Sequence, residues 1–431
     1  MVSLLHSCSV KQAIKIQFVP NGLFKKIQEI FAMNKTKWKR TFITIYTGQA
    51  FSLLGSSAVQ FAVIWWLTAY TESAVTLTLA TVISFLPNML LGPFAGVWID
   101  RYNRRTVMIA ADSLVAVSSV LLGLAFLLYH EPSVWLIFVV LFFRGIGNTF
   151  HAPALQAAIP MFVPTEMLEK AGGWGNLITS VSTMVGPALG AGMMALFPIA
   201  PIMLVDIIGA VFAIVCLLMI SLPDMTSGEE VPHLFDDMKQ GFLAMRENKP
   251  LMAAFFPVIF ASMLYMPLGS LFPLLVRLHY LGGAGHNAIV EFVFSAGLLV
   301  SSSIMGIWGG MKKRFVMISV SIITLGMAAF FSGIFPTEAF GGFVICCFVM
   351  GASGTFFNVP LMAHIQESPP PQMMGKVFSL LNTAMTLATP FGLLLAGPVS
   401  EAIGVELWFI GSGFLMAVIG IICFFTTHKF N

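Results

Sequence analysis

The sequence predicts an all-α membrane protein in which twelve transmembrane helices form two six-helix bundles. Three observations carry this. Only 10% of the 431 residues are charged and 58% are hydrophobic, whereas a soluble domain carries about 25% charged residues. Apolar runs of about 18 residues or more, the length that marks a membrane span, recur along the whole chain. Several short phrases of the first half return in the second at a near-constant offset.

The chain opens with an arm, 1–39, that lacks the continuous apolar core and cleavage site of a secretory signal. Its LFKKIQEIFAM segment reads either as a short helix on the inner leaflet or as an extension without a role, since Met33 is itself a reasonable start. The first bundle, 40–222, holds spans near 41–68, 74–99, 106–129, 134–160, 171–197 and 201–222. Each is long enough to cross about 30 Å of hydrocarbon at about 1.5 Å per residue. A linker, 223–250, is the one long polar segment. In it Leu234, Phe235, Met238, Phe242 and Met245 recur at helical spacing among Asp236, Asp237, Lys239 and Arg246, which predicts an amphipathic surface helix. The second bundle, 251–431, holds spans near 251–278, 287–309, 315–335, 340–364, 376–399 and 405–427 and ends in a short tail.

Charge placement orients the chain. Twenty of the 22 Lys and Arg residues lie on one face, in the arm, the linker and the loops at 101–105 and 312–314, with Lys170, Lys376 and Lys429. The opposite loops TESA, HEPS and PTEA hold none, so the positive-inside rule places both termini in the cytoplasm. The exceptions are Arg144, within span 4, and Arg277, at the outer end of span 7. Trp38, Trp65, Trp66, Trp98, Trp135, Trp174, Trp308 and Trp408 lie near span ends, where interfacial belts are expected. Cys216, Cys346, Cys347 and Cys423 sit in apolar runs and Cys8 in the arm. No spacing points to zinc or a disulfide framework, so neither metal nor cofactor is expected.

The repeat is specific. GVWIDRYNRRTVMI (96–109) returns as GIWGGMKKRFVMI (306–318), RGIGNTFHAP (144–153) as MGASGTFFNVP (350–360), and GNLITSVSTMVG (175–186) as LNTAMTLATPFG (381–392). Thr149 and Thr355, Asn176 and Asn382, and Gly186 and Gly392 share an offset of 206, and the first pair of phrases is offset by about 210. Two homologous six-helix halves related by an axis normal to the membrane are a transporter architecture, with substrate bound at their interface.

Gly96, Asp100, Arg101, Arg104 and Arg105 resemble motif A of the major facilitator superfamily, with Asn103 in place of its usual Gly and Trp98 in place of Leu. Asn tolerates a left-handed backbone, so the turn is expected to survive. GPFAGVWIDRYNRRTVMIAAD, FFRGIGNTFHAPAL and the linker narrow the resemblance, over about 35–428, to the macrolide-efflux branch of the drug:proton antiporters. The resemblance implies export, proton coupling, bulky amphipathic substrates and a bacterial cytoplasmic membrane. It also implies that motif A latches the halves together in the outward-facing state, the alternative being a loop that merely obeys the charge rule. Gly310 stands where the second copy would need its acid.

Among candidate working residues, Arg144 lies about ten residues, or about 15 Å, into span 4. A charge there costs roughly 2.5–3.5 kcal/mol and needs a partner. Asn148 and His151 share its helix face, predicting a polar stripe on the cavity, and Arg144 matches the motif B arginine that the resemblance links to proton coupling. Asp112, Asp206 and Glu291 are the candidate carboxylates for proton or substrate. Asp112 also reads as a static partner of Arg144, and Glu291 as interfacial. Gln49 is expected to line the cavity. In span 5, Gly186, Pro187 and Gly190 resemble the antiporter motif C, in which Pro bends the helix, although close packing of small residues explains the same pattern.

These readings converge on a proton-driven exporter of amphipathic drugs, acting as a monomer in the bilayer, with the substrate and protons as its partners and no nucleic acid. Export of an endogenous compound such as a siderophore is the second reading. A membrane-embedded enzyme is the rival class, and neither H-E-x-x-H nor G-x-S-x-G occurs to support it.

Overall fold

A computed structural model of the chain describes residues 21–129, 131–164, 167–220, 249–311, 313–367 and 371–427. The linker helix expected within 223–250 and the first half of the arm lie outside them. The N-terminal half contains α1 (Asn21–Thr71), α2 (Ala74–Arg101), α3 (Arg104–Tyr129), α4 (Val134–Phe162), α5 (Leu168–Leu196) and α6 (Ile199–Leu218). The C-terminal half contains α7 (Lys249–Leu278), α8 (Ala284–Trp308), α9 (Arg314–Ile334), α10 (Phe340–Glu367), α11 (Pro371–Ile403) and α12 (Val405–Thr427), with a 3₁₀ turn at Thr337–Ala339. Twelve helices among the described residues are long and apolar enough to cross a membrane. The helix expected near the end of the arm is continuous with the first span, because neither Gly nor Pro occurs between Phe24 and Phe42 to end it.

The breaks between spans have local causes. Ser73 caps α2, its Oγ accepting from Thr76 N at 3.2 Å. Asn103 caps α3, its Oδ1 accepting from Arg105 N at 3.0 Å. Among the described non-glycine residues only Glu72 and Leu281 have positive φ, so Asn103 does not replace glycine by adopting a left-handed backbone, as expected from sequence. It supplies a side-chain acceptor instead. In the second copy of this turn, Gly309 and Gly310 take φ of 75° and 83°, a conformation that an acid at 310 would adopt only under strain.

The halves repeat in packing. α1 packs on α5 and α6, α2 on α4, and α3 on α4 and α6; α7 packs on α11 and α12, α8 on α10, and α9 on α10 and α12. Individual contacts repeat too. A methyl group on Gly145 would collide with the Ser84 carbonyl, and one on Gly351 with the Phe294 carbonyl. Gly186 lies against Ser57, and Gly392 against Met263. The halves meet along two seams, α5 with α8 and α2 with α11. Large apolar side chains such as Phe51, Ile208, Phe414 and Phe425 stay exposed on the bundle's outside, as a protein surrounded by lipid allows. Of the tryptophans assigned to interfacial belts, Trp98, Trp135, Trp174 and Trp308 are exposed, but Trp65 and Trp408 are buried. These two serve core packing, which the proximity of each to a helix end concealed.

Candidate functional site

Asp206 on α6 is fully buried, and Arg144 on α4 is 5% exposed. They form an ion pair through Arg144 Nη1 and Asp206 Oδ2. Arg144 Nη1 also donates to Ser119 Oγ of α3 at 2.6 Å. Ser119 Oγ donates in turn to Asp206 Oδ2 at 2.6 Å, and Ser56 Oγ of α1 donates to Asp206 Oδ1 at 2.5 Å. One cluster thus ties together four helices of the N-terminal half. Gly55 allows the approach, since a Cβ there would sit 3.0 Å from the Val205 carbonyl oxygen. Burying a charge is tolerable only when it is paired and hydrogen-bonded, and both carboxylate oxygens are engaged here.

This corrects two expectations. The partner of Arg144 is Asp206, and Asp112 belongs elsewhere: Asp112 Oδ1 lies 3.5 Å from His151 Nε2, both side chains nearly buried. Asp112 Oδ2 and His151 Nε2 find no hydrogen-bond partner among the described residues. The predicted cavity stripe is also divided. Arg144 points into the N-terminal half, His151 pairs with α3, and only Asn148 is exposed. Gln49, expected on the cavity, is 1% exposed with both amide atoms unpartnered among the described residues.

Of the motif A residues, Gly96 and Asp100 fall within α2, in a stretch where their side chains are outside the described set. Arg101 is exposed. Arg104 Nη1 lies 3.2 Å from Met161 Sδ, and Arg105 Nη2 donates to the Leu218 carbonyl at the end of α6 at 2.9 Å. Arginine at a helix C-terminus complements the last carbonyls and the helix dipole. Gly186, Pro187 and Gly190 lie within α5. The two glycines face α1, where a Cβ would collide with Ser57 and with the Ala58 carbonyl, so this motif seats one helix on another.

Glu291 on α8 is partly exposed. It accepts from Asn287 Nδ2 at 2.8 Å. Beside it, a cavity of about 660 Å³ opens between α5 and α8, lined by Trp65, Ala191, Met194, Ala288, Ile289 and Phe292 among others.

At the end of the bundle away from the basic loops, the halves are tied together. Glu401 Oε2, at the end of α11, accepts from Ala74 N at 2.7 Å, Ser73 Oγ at 3.1 Å and Val75 N at 3.3 Å. Arg277 of α7 pairs with Glu72 at 3.1 Å. Both of these ties between the halves lie at this end. Sequence reasoning missed Ser56, Ser119 and Glu401. The serines look like the many helical serines that bond their own preceding turn, such as Ser84 and Ser301. Glu401 pairs across more than 320 residues, where no local pattern reaches.

Comparison with known proteins agrees with this architecture. A profile for the Major Facilitator Superfamily matches residues 45–393. "Macrolide efflux protein A" of Streptococcus pyogenes is 38% identical over 391 residues, covering 90% of this chain and 96% of that one. A protein of the same name from Enterococcus faecalis is 36% identical over 326 residues, 74% of this chain and 99% of that one. Among solved structures, a POT family transporter in complex with 5-aminolevulinic acid aligns at a TM-score of 0.69 and 13% identity, over 90% of this chain and 96% of that one. A bacterial homologue of ferroportin in an inward-facing state aligns at 0.63 and 16% identity, over 89% and 98%. These last two speak to the fold alone.

Proposed function

Because the chain belongs to the Major Facilitator Superfamily, we propose that this multi-pass membrane transporter exports amphipathic drugs of the macrolide type, driven by proton re-entry. The substrate class rests on the 38% identity to a macrolide efflux protein across nearly the full length of both chains. In this reading the basic loops and both termini face the cytoplasm of a bacterial inner membrane, and the protein works as a monomer.

One observation carries the mechanism: polar ties between the halves gather at the end away from the basic loops, at Glu401 with the start of α2 and at Arg277 with Glu72. In this reading a bundle tied at that end is shut towards the outside and loads from the cytoplasm. Drug enters from within, the halves rock about their seams, and the outer ties part to release it. Asp112 and His151 take up the proton, since theirs is the incompletely satisfied buried pair. The saturated Arg144–Asp206 cluster holds α1, α3, α4 and α6 together, so that loading α3 and α4 moves the N-terminal half as a unit. One proton crossing 100 mV supplies about 2.3 kcal/mol, which supports one-for-one exchange.

The test is uptake of a radiolabelled macrolide into inside-out vesicles under an imposed proton gradient, with and without an uncoupler. Uncoupler-sensitive uptake that is lost in Asp112→Asn is the expected result. Uptake indifferent to the uncoupler would overturn proton coupling, and no uptake by folded protein would overturn the substrate class.

A further inference from the structure

We infer that Glu291 and Asn287 form the recognition site for the substrate's ammonium group, an inference that rests on the export reading above and names the chemistry its cavity selects. Three observations converge on α8. First, Glu291 has no cationic partner among the described residues. Its one described partner is the neutral amide of Asn287 at 2.8 Å. The guanidinium that ends the preceding helix, Arg277, is engaged by Glu72. Asp206 is the opposite case, with an arginine and two hydroxyls already in place. A carboxylate in a largely apolar setting favours a positive partner, and Glu291 has acceptor capacity to offer one.

Second, Asn287 is built to hold it. Asn287 is 1% exposed, its Nδ2 is committed to Glu291, and its Oδ1 is buried with no partner among the described residues. The pair therefore presents the open acceptors of the carboxylate and the amide oxygen beside one remaining amide N–H, and its negative charge favours an N–H-bearing cation over an anion.

Third, the helix places this polar pair beside an apolar void. Gly297 and Ser301 face α10, where a Cβ on Gly297 would collide with the Phe348 carbonyl. Ala284, Ala288 and Phe292 face α5 across the 660 Å³ cavity. At 100° per residue, Glu291 lies between these two faces, on the same side as Ser295 and Ser302. A cavity of this size suits a small-molecule ligand, in which a few placed polar groups set specificity within an apolar lining. The matching ligand is amphipathic, with a protonated amine at one edge of a large apolar body.

The experiment measures equilibrium binding to the purified protein of an N-desmethyl macrolide, whose secondary amine is protonated, and of its N-acetyl derivative, which shares the ring but carries no charge. The parent is expected to prefer the amine by at least about tenfold, equivalent to about 1.4 kcal/mol. Glu291→Gln should reduce that ratio to near one, Glu291→Asp should keep most of it, and Asn287→Leu should lower it in part. The ratio does not depend on the fraction of protein that is folded. A parent that binds both compounds equally, or a Glu291→Gln variant that keeps the full preference, overturns the inference while leaving export intact. A parent that binds neither overturns the export reading and this inference with it.

Discussion

The two halves share a fold and differ in what fills it. The offsets that align their helices set Arg144 opposite Met350, Asp206 opposite Ser412, Ser119 opposite Ala329 and Ser56 opposite Ser262. Where the N-terminal half has a buried ion pair with two hydroxyls, the C-terminal half has a buried methionine and a serine, Ser412, that bonds its own helix at the Trp408 carbonyl. It closes α9 on α12, the counterparts of α3 and α6, by backbone proximity: a methyl group on Gly413 would collide with the backbone of Phe330, and one on Gly326 would lie 2.6 Å from the Gly413 carbonyl oxygen. A purely structural need can thus be met without charge in this architecture. In the mechanism proposed above, the charges of the N-terminal half add directional ties that make four helices move as one.

The most severe way to break this comparison is Arg144→Ala. It leaves Asp206 buried and unpaired, which should cost about 3–5 kcal/mol and abolish transport. Arg144→Met with Asp206→Ser sharpens it, because these are the residues of the C-terminal half. Replacing a buried pair by apolar groups is often nearly neutral for stability, so the double variant should unfold thermally close to the parent in detergent. Its proton-driven uptake should still be lost. Retained uptake would show that apolar packing alone can make the four helices move as a unit, and that the charged cluster is not needed for it.

Next in size is the reciprocal change, Gly413→Ala. Overpacking a close contact costs about 1–3 kcal/mol, so the midpoint of thermal unfolding should fall, while uncoupler sensitivity of the remaining uptake should not change. A change in coupling would show that the close-packed α9–α12 contact also takes part in energy transduction.

How much of this was legible in the sequence follows the same division. Twelve spans, the repeat and the depth of Arg144 were readable because a bilayer imposes length and polarity locally. The partner of Arg144 was not. Asp112 and Asp206 both lie inside apolar spans, and only the packing of α6 against α1 and α3 decides between them. Asn103 shows a subtler limit: its tolerance as a glycine substitute was the natural reading, yet its side chain caps α3 while its backbone stays ordinary. His151 was placed on the cavity by helix periodicity, which gives a face but not the neighbour that covers it.

The smallest effects concern the ties between the halves, and the two ties should not be equal. Glu401 receives two backbone N–H groups and a hydroxyl at the start of α2, where an acid completes both unsatisfied donors and the helix dipole. Glu401→Gln should weaken the outward closure by about 0.3–1 kcal/mol. Distances between spin labels across this end would then show a larger open population. Arg277 and Glu72 are 42% and 48% exposed, and pairs at that exposure contribute about 0–1 kcal/mol and fade with salt. Arg277→Gln should therefore shift the distances less than Glu401→Gln does, and the shift should vanish in high salt. The reverse order would mean that the halves are held by the surface pair, and that the start of α2 is a cap without a role in closure.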